Sequence, residues 1–101
     1  MIPVDYKKIA EQFRVTPPNT PVDVVVALFN NELSTRECEV LLMSSWGMNA
    51  EDIANSLDVG SATIREYLNR ARIKVGVKTL NELRIAFSTR YQSLMLMSHF
   101  Y

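Results

Sequence analysis

The chain has 101 residues, 48% of them hydrophobic and 22% charged, the balance of one folded domain rather than of a disordered segment. One cysteine, Cys38, excludes an internal disulfide, and its pairing with a single distant histidine, His99, argues against a zinc site. Eleven basic and eleven acidic side chains cancel to zero net charge, and no stretch approaches the ~20 apolar residues of a membrane span.

In chain order, Asp5 caps a first helix expected over about 6–13, with Tyr6, Ile9, Ala10 and Phe13 on one apolar face. Residues 15–20 contain Pro17-Pro18-Asn19, which breaks the helix. Thr20-Pro21-Val22-Asp23 then reads as a new helix start, with a Thr cap, Pro in the first position and an acid in the first turn. The Val24-Val25-Val26 run leaves a strand open there, but the cap and the short length favour helix.

Ser34-x-x-Glu37 is a capping box opening a helix whose inward face is Val40, Leu41 and Ser44, closed by Gly47. Cys38 falls on the outward side of that helix by this pattern. Asn49-x-x-Asp52 starts a short helix with Ile53, Ala54 and Leu57 inward, and Asp58-Val59-Gly60 is a tight turn. The next helix is expected over about 61–75, with Ile64, Leu68, Ala71 and Val75 on one side and Gly76 as its stop. Thr79-x-x-Glu82 opens a last helix bearing the stripe Leu80, Leu83, Phe87, Tyr91 and Leu94.

Charge is divided along the chain. Residues 1–59 hold four basic and nine acidic side chains, a net of −5, and residues 60–101 hold seven basic and two acidic, a net of +5. This asymmetry suggests a basic working face for nucleic acid; the alternative is that the two halves neutralise each other.

A short helix, a tight turn and a second helix at a steep angle form a helix-turn-helix, whose second helix fits the ~12 Å major groove. With Ile64, Leu68, Ala71 and Val75 inward, Ala62, Arg65, Glu66, Asn69 and Arg72 face outward. Arg65 suits guanine O6 and N7, and Asn69 suits adenine N6 and N7. Arg70, Arg72, Lys74 and Lys78 are expected at phosphates. Backbone N–H groups of Asn49, Ala50 and Glu51 suit a further phosphate.

Residues 33–86 resemble the LuxR/GerE-type helix-turn-helix domain of bacterial transcription regulators. The resemblance rests on Leu33-Ser34-Thr35-Arg36-Glu37-Cys38-Glu39-Val40-Leu41, then Gly47, Ile53-Ala54, Thr63-Ile64-Arg65 and Lys74-Val75-Gly76-Val77. It implies a four-helix domain whose third helix reads the major groove and whose fourth often mediates dimerisation. It also implies Arg65, Glu66 and Asn69 as base-reading residues, with Thr63, Tyr67 and Lys74 near the DNA backbone. The chain departs from the pattern at Gly60, where a Ser cap is usual, and at Glu66, Tyr67 and Leu80. Residues 1–32 do not resemble the receiver or ligand-binding domains that often precede this module. The segment 67–72 is similar to region 4 of sigma factors, but Gly76-Val77 and the helix after it fit LuxR/GerE better.

The expected fold is all-α and one compact domain. An N-terminal helical extension covers 1–32, a four-helix LuxR/GerE-like domain covers 33–86, and a C-terminal helix extension covers 87–101. Leu83, Phe87, Tyr91 and Leu94 either fold back on the N-terminal helices or pair with a second copy; the dimer is favoured because two short helices cover little apolar surface. Trp46 is expected as a core or interface anchor, His99 as a solvated or packing residue, and Met95 to Met97 as packing surface. No catalytic constellation, cofactor box or metal site is expected. The resulting expectation is a small cytoplasmic transcription regulator that binds double-stranded DNA through its recognition helix, as a homodimer. The alternative is a protein-interaction module that binds another regulator or RNA polymerase.

Overall fold

A computed structural model describes residues 3–99, and among these the chain is helical with no strands. Six helices follow one another: α1 (Tyr6–Val15), α2 (Pro21–Leu28), α3 (Thr35–Ser45), α4 (Ala50–Leu57), α5 (Ser61–Val75) and α6 (Leu80–His99). The Val24 to Val26 run is therefore helical, as its cap indicates.

Local chemistry sets the boundaries. Asp5 accepts from the Lys8 N–H at 3.0 Å and starts α1. The Asp23 carboxylate accepts from the backbone N–H groups of Asn19 and Thr20, which fixes the entrance to α2. At α3 the expected box is formed: Glu37 N–H donates to Ser34 Oγ at 3.1 Å, and Ser34 N–H donates to Glu37 Oε1 at 2.8 Å. Gly47 and Gly76, both at φ 86°, take the left-handed residue after α3 and α5, a conformation that would strain any side chain with a Cβ. Asn30 and Asn31 also adopt positive φ, turning the chain from α2 toward α3.

α3 is the central helix, packed against α2, α4, α5 and α6. Two clusters of buried side chains lie around it. The larger joins Ala10 of α1, Val25 and Leu28 of α2, Leu41 of α3, Ala71 and Val75 of α5, and Leu83, Phe87 and Leu94 of α6. The smaller, formed by Val40, Ile53, Ala54, Ile64 and Leu68, holds α4 and α5 onto α3.

Three expectations need correction. Cys38 is fully buried, not outward, because α2 covers the side of α3 that a single inward stripe leaves open; Cys38 shares its cluster with Val25, Leu28 and Leu33. Burial, with the neighbouring Glu37 charge, pushes its thiol up to about 12, against the opposing Lys74 charge. Trp46 is no core anchor: it sits at the end of α3 with 63% of its surface exposed. Finally, Leu83, Phe87 and Leu94 are buried within one chain against α1, α2 and α3, so the short N-terminal helices do cover them. Tyr91 alone of that set stays 44% exposed, its ring 6.2 Å from that of Phe87.

Two measurements check this packing. Phe87→Ala should destabilise the chain by about 3–5 kcal/mol in urea unfolding, as expected for a core truncation. A thiol reagent should leave Cys38 unmodified in native buffer and react with it fully once denaturant is added.

Candidate nucleic-acid interface

The α4–turn–α5 unit is built by its turn. Asn49 Oδ1 accepts from Asp52 N–H at 2.9 Å to open α4, and Asp58 closes it in the left-handed region at φ 56°. Val59 N–H then returns to Ala54 O at 3.0 Å. Gly60, at φ −81°, caps α5 without a side-chain hydrogen bond, so the left-handed residue of this turn is the aspartate rather than the glycine. Ile53, Ala54, Ile64 and Leu68 lock the pair together from beneath. The polar side of α5 is left outward.

On that side Arg65, Glu66, Asn69 and Arg70 are exposed, and Ala62 is exposed with them. Thr63 is half-buried, and Tyr67 is half-buried against the smaller core cluster. Hydrogen-bond partners restrict what the exposed groups offer. Arg65 Nη2 donates to Glu51 Oε1 at 2.8 Å, with a longer contact from Nη1 to Ser61 Oγ at 3.4 Å. Arg70 Nη2 donates to Glu66 Oε1, one turn back. Asn69 Oδ1 accepts from both Nε and Nη2 of Arg72, at 3.1 and 2.9 Å. Pairing with adenine needs that oxygen as an acceptor, so in the free protein Asn69 offers its amide donor instead.

The expected phosphate contacts divide. Lys78 is exposed. Arg72 is tied into the chain, with Nη1 donating to Val77 O at 3.1 Å and Lys78 O at 3.2 Å, across the turn from α5 to α6. Lys74 Nζ lies 2.7 Å from Glu37 Oε1. Two further cations of the basic half lie elsewhere: Arg84 donates to Ser44 Oγ, and Arg90 sits 4.4 Å over the Phe29 ring while donating to Leu28 O. The +5 of residues 60–101 is thus not one continuous basic face.

Over residues 31–87, more than half its length, the chain matches the family model GerE, described as bacterial regulatory proteins, luxR family. The chain belongs to the luxR family. The matched span holds all of α3, α4 and α5 and the start of α6, so the helix-turn-helix described above is this family's DNA-binding domain, and the protein is a DNA-binding transcription regulator. No curated protein and no solved structure matched the chain. Among the described residues no helix is long and apolar enough to cross a membrane.

Within this luxR-type domain, Glu37 holds the far end of α5. Its side chain is 3% exposed, against 43% for Lys74. Burial raises the Glu37 pKa, but the Lys74 ammonium and the Ser34 N–H and hydroxyl outweigh it, so the carboxyl lies below its ordinary value. The partner that composition and periodicity leave out is Glu51, whose carboxylate reaches Arg65 from another helix 14 residues away. Sequence spacing carries no signal for that pair; only the angle between α4 and α5 brings it together.

Glu37→Ala should lower stability by about 1–3 kcal/mol, through loss of a cap and a charged hydrogen bond. Because the folded-state pKa lies below the unfolded one, the Glu37 contribution is present at neutral pH and fades as pH falls through the folded value. Melting curves taken from neutral to acid should therefore show wild type and variant converging as pH falls.

Proposed function

We propose that the protein regulates transcription by reading double-stranded DNA sequence-specifically through α5. The observation that carries this reading is the outward placement of Arg65, Glu66 and Asn69 on a helix whose opposite side, Ile64, Leu68, Ala71 and Val75, is fully used by the core. Arg65 reads a guanine through O6 and N7, Asn69 donates to a neighbouring base edge, and Glu66 accepts from a cytosine amine. Thr63 and Tyr67 lie at the flanks near the sugar–phosphate backbone, and Arg70 and Lys78 supply phosphate contacts. Arg72 and Lys74 act at one remove, by holding the end of α5 in place through Asn69, Val77 and Glu37. A protein working on chromosomal DNA works in the cytoplasm, at the nucleoid.

The functional unit in this reading is a homodimer, formed through apolar side chains that one chain leaves uncovered. Trp46, Tyr91 and Met95 line an open cleft of about 670 Å³ between α2, the end of α3 and α6. Leu96 and Ile85, 64% and 55% exposed, add further apolar surface on α6. Two copies related by a two-fold axis would meet half-sites about one helical turn apart. A second reading, a protein-interaction module for another regulator or RNA polymerase, draws on one observation: Arg65 and Arg70 are already paired with carboxylates.

Binding to a duplex enriched by the wild-type protein from a random pool separates these readings. Arg65→Ala should cost about 1–3 kcal/mol on that duplex and relax preference at one position. Lys78→Ala should weaken all duplexes alike and reduce the log–log salt slope by ~0.9. A folded Arg65→Ala protein with full affinity and unchanged preference would overturn the assignment.

A further inference from the structure

The surface that should meet DNA is nearly neutral in the free protein. Arg65 is paired with Glu51 and Arg70 with Glu66, and all four side chains are more than half exposed. Exposed pairs of this kind stabilise a fold little, because water screens them. Their larger effect is on what the surface presents to an incoming polyanion. Each arginine, taken with its carboxylate, offers a phosphate no net charge.

The entrance of α4 shows the same arrangement. A helix N-terminus attracts phosphate through its free N–H groups and its dipole. Here the first turn of α4 carries two carboxylates, Glu51 and Asp52, so that end repels a phosphate at longer range. The two features converge on Glu51, which belongs to the α4 entrance and also occupies Arg65, the arginine that has to be released before it can meet a base.

Releasing Arg65 leaves Glu51 unpaired beside a polyanion in either case, and a phosphate offsets that with a single charge contact that any duplex can offer. A guanine edge gives Arg65 two directional hydrogen bonds, to O6 and N7, that only the correct base provides. Exchange of the carboxylate for DNA is therefore favoured at the right base and opposed elsewhere.

We infer that Glu51 and Glu66 are specificity-determining residues: by pairing with Arg65 and Arg70 they suppress sequence-independent binding, so that affinity depends on base contacts. This rests on the reading of α5 as the DNA-reading helix. Both carboxylates weaken binding where no base replaces them; at the right site a guanine takes the place of Glu51 on Arg65 and a cytosine amine engages Glu66.

The test uses the full chain and two fluorescent duplexes, one of random sequence and one enriched by the wild-type protein. Anisotropy titrations at salt from about 50 to 200 mM compare wild type, the double variant Glu51→Gln/Glu66→Gln and Arg65→Ala, with circular dichroism to confirm helical content. The double variant should bind random duplex more tightly and with a steeper salt slope, by ~0.9 for each freed arginine, or about threefold in affinity per arginine across that salt range. Its gain on the enriched duplex should be smaller, narrowing the ratio between the two. Should the double variant lose helix, Glu51→Gln alone carries the same expectation at half the size.

Unchanged affinity and slope, with Arg65→Ala still weakened, would overturn the inference and leave the DNA reading standing. Weaker binding of random duplex by the double variant, or of either duplex by Glu51→Gln alone, would overturn it too, since Glu51 would then be supporting Arg65 on the DNA. Equal gains on both duplexes would reduce the carboxylates to general repulsion and also overturn it. Absence of duplex binding by wild type and variant alike would overturn both the inference and the DNA reading.

Discussion

One carboxylate ties the domain together. Glu37 closes the capping box of α3 on Ser34, and the same Oε1 atom accepts from Lys74 in the last turn of α5. The entrance of the central helix and the far end of α5 are thus fixed to one another through one nearly buried side chain. A charge in that position requires full compensation, which two donors on Oε1 and a full positive charge provide. Cys38, next along the chain, is fully buried in the larger cluster.

Around this joint the helices divide their work. α3 supplies two faces, one to α2 and the larger cluster, the other to α4 and α5 through Val40. α5 supplies its inner stripe to both clusters, with Ile64 and Leu68 in one and Ala71 and Val75 in the other. Its orientation is therefore set by packing along its whole length. Such rigidity matters for reading bases, where a side chain must arrive within hydrogen-bond distance of a particular edge. Arg72 continues the same logic at the exit of α5, clamping the carbonyls of Val77 and Lys78 and orienting Asn69 from the side.

Electrostatics and packing pull apart on the outer face. Core packing exposes Arg65 and Arg70, yet each is paired with a carboxylate that balances its charge. Elsewhere the basic residues of the second half serve the fold: Arg84 meets Ser44, and Arg90 covers Phe29 and the end of α2. Positive charge is thus balanced locally rather than gathered into a broad positive field, in keeping with the zero net charge.

Much of this was legible in the residues themselves. Caps and stops such as Asp5, Ser34 with Glu37, Gly47 and Gly76 act within a few positions, so helix boundaries are a local matter. The inward stripe of α5 follows from a 3.6-residue period and a single packed face, and the motif from Leu33 to Leu41 carries the family. The second covered face of α3, and hence the burial of Cys38, was not legible, because periodicity marks one stripe and cannot count the neighbours of a helix. Nor was the state of the cations. Glu51 and Arg65 are 14 residues apart, Glu37 and Lys74 are 37, and Ser44 and Arg84 are 40. Hydrogen bonds end within about 3 Å, so those pairings exist only once the angles and separations between helices are set. The residues alone determined which helices form and what family they make; tertiary structure decided which charges remain for DNA.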